Sequence, residues 1–274
     1  MSVIIPFKGS RVMSITSFIG LCLGSFVLLF SLKLATPNNP ITIFLDYPSA
    51  FIVLGGSFTS AAISYKVSHM LMLFKIFLKH VGGAYKVNYA EVIAEIMKIG
   101  DAYRRGESLE GHINKVKDFF LKEALELIND GILEGEHVIR ILTDRANNMN
   151  YMHLEDAGKI KYLAQYPPAM GALGTTIGMI VLLANLGGED AMKMIGPAMG
   201  FCLITTLYGS AISNLFIIPV SENLIEASKI THVKNLIIIE GIKHLLSKSN
   251  PVIVAEELNS YLPPRERLDW KEII

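Results

Sequence analysis

Residues 164–186, AQYPPAMGALGTTIGMIVLLANL, and residues 195–220, IGPAMGFCLITTLYGSAISNLFIIPV, decide the fold of this chain. Each is long enough to cross a hydrocarbon layer of about 30 Å as a helix of about 20 residues. Neither contains an Asp, Glu, His, Lys or Arg. Working outward, two more apolar stretches stand at 13–35 and 41–65. The turn Thr36-Pro37-Asn38-Asn39-Pro40 joins the first two, and Gly187-Gly188-Glu189-Asp190 joins the last two. The expectation is therefore two transmembrane hairpins, 13–65 and 164–220.

The composition agrees. The chain has 274 residues, 51% hydrophobic and 18% charged, against about a quarter charged in a soluble domain. That excludes an ordinary water-soluble enzyme. With 25 basic and 25 acidic residues the formal charge is zero, which gives no footprint for nucleic acid. Lys8 and Arg11 precede the first apolar run as they would in a signal peptide, but the run is longer than a signal core and no A-x-A site follows. Cys22 and Cys202 both fall in apolar spans and read as buried small side chains, not as a disulfide or metal pair.

Topology follows from the cations. Lys33 and Lys193 are the only lysines or arginines in or beside the two short turns. Positive segments stay cytoplasmic, so both termini and the long loop are expected inside. The resulting organisation is all-α and polytopic: an N-terminus 1–12, hairpin 13–65, a cytoplasmic helical domain 66–163, hairpin 164–220 and C-terminal helices 221–274. Residues 69–80, HMLMLFKIFLKH, are too short and basic to span and read as an interfacial amphipathic helix. From Tyr89 to Lys161 apolar residues recur at helical spacing, among them Val92, Ile93, Ile96, Met97 and Ile99, then Phe119, Phe120, Ala124, Leu125, Leu127 and Ile128. Gly100, Gly106, Gly131 and Gly135 punctuate them, so short helices are expected. The tail should hold a helix near 221–248 and a shorter one near 251–261, stopped by Pro263-Pro264. No strand is expected.

Chemistry is scarce in the polar part. There is no phosphate loop, nucleophile elbow or zinc-protease motif, and His153, Glu155 and Asp156 read as a solvated charged stretch. The spans offer more. Gly171, Gly174 and Gly178 share one helix face with Thr175, and small residues let helices approach closely in lipid. Cys202, Thr206, Gly209, Ser210 and Ser213 line one face of the next span. The plain reading is helix packing, with each hydroxyl bonded to the carbonyl four residues earlier. Ion handling, which normally needs an intramembrane ionisable group, would require a carboxylate from another chain. Pro168 and Pro219, at the cytoplasmic ends of these spans, can bend the helices.

Three segments resemble the MotA/PomA stator subunits of the bacterial flagellar motor: Phe44-Leu45-Asp46-Tyr47-Pro48 through Gly55-Gly56, Pro168-Ala169-Met170-Gly171 through Gly178, and Gly196-Pro197-Ala198-Met199-Gly200 with Leu203 to Ser210. The resemblance runs from about residue 14 to Pro263. It implies an inner-membrane, non-enzymatic subunit, five copies of which surround a dimer of a single-span MotB or PomB partner carrying an essential aspartate. Ion flow past that aspartate would turn the ring against the flagellar rotor. Thr175, Thr206 and the neighbouring Thr205 would then line the ion pathway, with Na+ or H+ as transported ion and no cofactor or bound metal. The paired Thr205-Thr206 is similar to sodium-driven members, so sodium is expected over the proton. The resemblance assigns rotor contact to Arg104, Arg105 and Glu110, although the segment is about two residues shorter here before Glu110. ExbB or TolQ energisers have three spans and match less well; a carrier would need an internal repeat and its own midplane polar site.

Overall fold

The computed structural model describes residues 11–12, 15–37, 40–66, 85–188, 191–269 and 271. The expected interfacial helix 69–80, residues 1–10 and the Glu189-Asp190 part of the second turn lie outside the described residues. The chain divides into two compact units, and the helices Gly135–Leu163 and Ile218–Leu246 contribute residues to both.

The first unit takes its described residues from Met13–Ala84 and Leu154–Ile225. It contains α1 (Ile15–Ala35), a 3-10 turn (Ile41–Phe44), α2 (Tyr47–Ala50), a π-helical stretch (Phe51–Gly55) and α3 (Gly56–Ser64). The end of α7 (Gly135–Leu163), then α8 (Tyr166–Asn185), α9 (Ala191–Ala211), a π stretch (Ile212–Ile217) and the start of α10 (Ile218–Leu246) complete it. At a rise of 1.5 Å per residue, helices of 20 or 21 residues such as α1, α8 and α9 are about 30 Å long, the hydrocarbon thickness. Their large side chains face outward: Leu23, Phe26 and Leu34 on α1, and Leu173, Ile180 and Leu183 on α8, are all more than half exposed. Such surface would drive association in water and is what lipid solvates. This is a helical membrane protein.

Two details depart from the sequence expectation. The second span is not one continuous α-helix. Its chain is extended at Asp46 (φ −115°, ψ 113°), whose carboxylate accepts the Ser49 N–H at 2.8 Å and so caps α2, with Pro48 in the first turn. An Asp at the N-cap stabilises a helix start by about 1 kcal/mol. The fourth span and the tail helix are not separate either. Residues 191–246 form one 56-residue helical run. Pro219 has no N–H to give the carbonyl of Leu215, and the wider π turn at Ile212–Ile217 sits where that bond would have been.

The second unit comprises the described residues of Met1–Val12, Tyr85–His153 and Glu226–Ile274. It holds α4 (Tyr89–Arg104), α5 (Glu110–Ile113), α6 (Phe119–Asn129), the first part of α7, the last part of α10 and α11 (Pro251–Asn259). The loop helices are not all short: α7 has 29 residues, because Gly135 opens it where a break was expected. Ile93, Ile96, Leu121, Leu125, Val138, Leu142, Ile238, Ile242 and Leu258 meet in one core, each at most 2% exposed. The spacings of three and four residues place them on single helix faces. Phe119 departs from the pattern and is 77% exposed as the first residue of α6. Asp118 caps that helix, accepting the N–H groups of Phe120 and Leu121 at 3.0 and 3.1 Å, while its second oxygen takes the buried Lys234 ammonium. One small pairing was not expected: Arg11 and Val12 bridge Lys86 and Tyr85 as a two-residue antiparallel strand pair.

Candidate functional site

The site begins with four glycines that bring α8 and α9 into backbone contact. A methyl placed on Gly171 would stand 3.0 Å from the Thr205 carbonyl oxygen, and one on Gly174 would stand 2.9 Å from Thr205 Cβ. On Gly178 it would meet Phe201 Cδ1 at 2.9 Å, and on Gly209 the Pro167 carbonyl carbon at 3.0 Å. All four glycines are buried. The proposed packing stripe is therefore the seam itself.

That close approach sets the hydroxyls. Thr175 Oγ1 lies 2.7 Å from Thr206 Oγ1, across the two helices. Thr175 Oγ1 is also 3.1 Å from Gly171 O and 3.0 Å from Cys202 O, and Thr206 Oγ1 is 3.2 Å from the same Cys202 O. The free thiol of Cys202 closes the ring by donating to the Thr175 carbonyl at 3.3 Å. Two hydroxyl protons thus serve a cluster of oxygens, and lone pairs remain over. Thr206 is exposed on the surface of the chain and Thr175 half-buried, so the pair forms an open polar edge on an apolar wall. An alcohol pair carries no charge, so it can donate oxygen ligands to a cation but cannot hold one by itself.

Thr205 does not join them. It is fully buried beneath Gly174, and its hydroxyl donates back to Phe201 O and Cys202 O. Successive helix residues are about 100° apart in azimuth, so of two adjacent threonines only one can look along this edge. The prolines sit at helix ends. Pro167 and Pro168 fill the first turn of α8, where a missing N–H is harmless, after a break at Ala164-Gln165; Pro219 stands just past the π stretch. Two serines bond across helices, not back along their own: Ser213 to Ala164 O at 2.6 Å and Ser221 to Ala157 O at 2.9 Å.

Sequence reasoning missed a second cluster in this unit. Tyr208 Oη, on α9, accepts the Asp46 N–H at 3.2 Å and donates to Phe44 O, while the buried Ser49 reaches Phe201 O at 3.4 Å. These contacts anchor the start of the second span on α9. A lone tyrosine inside an apolar span and an Asp-x-x-Ser start were the available signals.

In the other unit, Arg104 and Arg105 do not float free. Both guanidinium groups reach the buried carboxylate of Asp101, Arg104 at 3.0 Å, yet they stay 43% and 59% exposed. The helix ends directly behind them: Gly106 (φ 88°) donates to Tyr103 O and Glu107 to Ala102 O, a Schellman closure that needs the left-handed glycine. Glu110 lies beyond this turn at the start of α5; among the described residues its carboxylate has no ion pair with the arginines. Back in the first unit, Glu155 and Asp156 hold Lys159 at 2.9 and 3.5 Å, an ordinary helix-face pairing. On α4, burial first and the Asp118 charge second raise the Glu95 carboxyl above its usual range, with Lys117 opposing.

Comparison with known proteins gives the arrangement a lineage. Residues 112–234 match the model described as the MotA/TolQ/ExbB proton channel family. The chain is 30% identical to "Motility protein A" of Borreliella burgdorferi over 260 residues, covering 93% of this chain and 96% of that one. It is 27% identical to "Chemotaxis protein PomA" of Vibrio alginolyticus, covering 98% of that protein. Its fold matches the solved structure of C. jejuni MotAB with a TM-score of 0.81, 22% identity and coverage of 93% of this chain and 98% of that one. With similarity close to full length on both sides, the chain belongs to the MotA/TolQ/ExbB proton channel family.

Proposed function

We propose that the chain is the ring-forming subunit of an ion-driven flagellar stator in the bacterial inner membrane, with both termini cytoplasmic. It is a coupling element and not an enzyme. Five copies enclose a MotB/PomB-type partner, and the partner's aspartate supplies the carboxylate that α8 and α9 lack. The observation that carries this reading is the Thr175–Thr206 hydroxyl pair at 2.7 Å, at the open edge of a wall with no carboxylate. As a cation passes the partner's carboxylate, the two hydroxyls and the Cys202 carbonyl offer oxygens in place of part of its hydration shell. Hard cations favour such oxygen ligands, and a proton does not need them, so sodium is the proposed ion. The solved MotAB complex with the same fold and the PomA relative support the partner type and the motility role.

The arginine pair held by Asp101 is proposed as the surface that pushes on the rotor switch ring, with Glu110 contributing separately from across the Gly106 turn. The test is ion replacement. Cells relying on this stator are tracked while sodium is exchanged for potassium at fixed pH. Rotation should fall away with sodium, and the Thr206→Ala variant should need more sodium for half-maximal speed. Undiminished rotation without sodium overturns the sodium assignment. A chain that fails to restore rotation beside any single-span partner overturns the stator reading itself.

A further inference from the structure

At the end of α10 a histidine stands in a setting that ordinary packing does not account for. Glu240 and His244 are four residues apart on one face of the helix, and Glu257 comes from α11. One ligand atom from each of the three lies within 4.8 Å of the others. The His244 side chain is only 10% exposed, and its Nε2 is buried. Nε2 lies 2.9 Å from Glu257 Oε2 but off the line an N–H bond would take, so it has no hydrogen-bond partner there.

Ser247 Oγ donates to the carbonyls of Lys243 and His244 at 3.0 and 3.2 Å. Ser247 Oγ also lies 2.8 Å from Ser249 Oγ, a contact in which either hydroxyl can donate. Ser249 Oγ lies 3.1 Å from His244 Nδ1 and accepts from it in the tautomer protonated at Nδ1. In that tautomer the lone pair of Nε2 faces the Glu257 carboxylate. Two electron-rich groups in contact repel unless a cation sits between them. Fixing one ring nitrogen through a hydrogen bond while the other points at carboxylates is how metal-binding histidines are oriented.

We propose that Glu240, His244 and Glu257 form a binding site for a divalent transition cation of the zinc class. One imidazole and two carboxylates, completed by water, suit such an ion. Metal–ligand bonds of 2.0–2.2 Å put tetrahedral ligand atoms about 3.4 Å apart, so binding would draw the three atoms in. Glu257 is free to move, being 55% exposed. Glu240 already lends one oxygen to Lys243 Nζ at 2.7 Å and would offer the other. The loop that delivers Ser249 turns through Lys248 in a left-handed conformation (φ 49°), its ammonium 5.7 Å above the Tyr103 ring. His244 and Asp101, the carboxylate that grips the arginine pair, line the same crevice. A bound ion would cross-link α10 to α11 beside the proposed torque surface.

The test uses the tag-free full-length chain in detergent, stripped with chelator and titrated with Zn2+ by calorimetry and with Co2+ by its visible absorption. The expected result is one ion per chain, lost in His244→Ala. In Glu257→Gln and Ser249→Ala the affinity should fall by about tenfold or more, the scale seen for ligands' supporting groups. Glu257 is exposed, so its conservative change leaves the fold intact and keeps the test sharp. No uptake by the native chain, or equal affinity in the native chain and Glu257→Gln, overturns the site.

Discussion

The two units of this protein are built from the same element, an amphipathic helix, used in opposite senses. In the second unit Leu125, Ile93 and Ile242 are fully buried, and the charged residues lie outside except for the paired Asp101 and Lys234. In the first unit Leu183 and Ile180 are more than 60% exposed, while Gly171, Gly174 and Gly178 are buried. The solvent explains the inversion. Water expels leucine into a core, at about 25 cal/mol per Å² of apolar surface, whereas lipid is as apolar as leucine and pushes nothing inward. There, helices are held by backbone proximity and by hydroxyl–carbonyl bonds. The contrast teaches that a polar edge such as Thr175–Thr206 arises where glycines, not large side chains, fill the seam.

The largest expected effect lies in that seam. Gly174→Val should force α8 from α9 and abolish rotation while the chain still inserts, read by motility beside membrane immunoblotting. The same glycine-to-larger change at Gly100 on α4, which has open space around it, should not destabilise: Gly100→Ala should gain about 0.5–1 kcal/mol from helix entropy. Equal tolerance at both glycines would break the comparison. Next in size is a pair of leucines. Leu125→Ala should cost about 2–5 kcal/mol through its cavity, whereas Leu183→Ala should shift the thermal midpoint of the purified chain far less. The Arg104→Glu, Arg105→Glu double variant should lower torque at unchanged membrane level, since the pair is exposed at its outer end; wild-type torque would refute the rotor assignment. Single exposed pairs are worth about 1 kcal/mol or less, so either change alone should act more weakly.

The smallest effect concerns pH. Glu95 has its carboxyl raised in the folded chain, mainly by burial and then by Asp118. The folded state therefore binds this proton more tightly than the unfolded state. Stability falls as pH rises through the interval between the unfolded and folded values. Glu95→Gln should thus stabilise slightly at neutral pH and change nothing below the ordinary carboxylate range. A denaturation series at two pH values reads the sign, and a stabilisation larger at low pH would reverse the assignment.

Much of this was legible beforehand. Unbroken apolar length marked the helices that suit lipid, and three- and four-residue spacing marked the core positions Ile93, Ile96 and Leu125. The alignment of Gly171, Gly174 and Gly178 on one face of α8, and of Gly209 with Cys202 on a face of α9, was likewise readable from spacing alone. Other features were hidden because they depend on partners distant in sequence. Tyr208 meets Asp46 across more than 160 residues, and the local signals at each, a lone tyrosine and a helix-start aspartate, do not say that they pair. Asp101 looked like any polar helix residue until its burial beneath two arginines appeared. The continuity of 191–246 was masked by Pro219, which normally signals a helix end and is here accommodated by a π turn.

The sequence by itself determined which segments suit lipid, where the small residues align, and that α8 and α9 have no carboxylate of their own, because length, periodicity and residue type are local properties. Only the tertiary structure decided which hydroxyls face each other. Thr205 and Thr206 are chemically the same and adjacent, and the azimuth that buries one under Gly174 and brings the other to Thr175 is set by how closely the two helices approach. The same holds for His244, whose bare nitrogen became visible only when Ser247, Ser249 and Glu257 were folded around it.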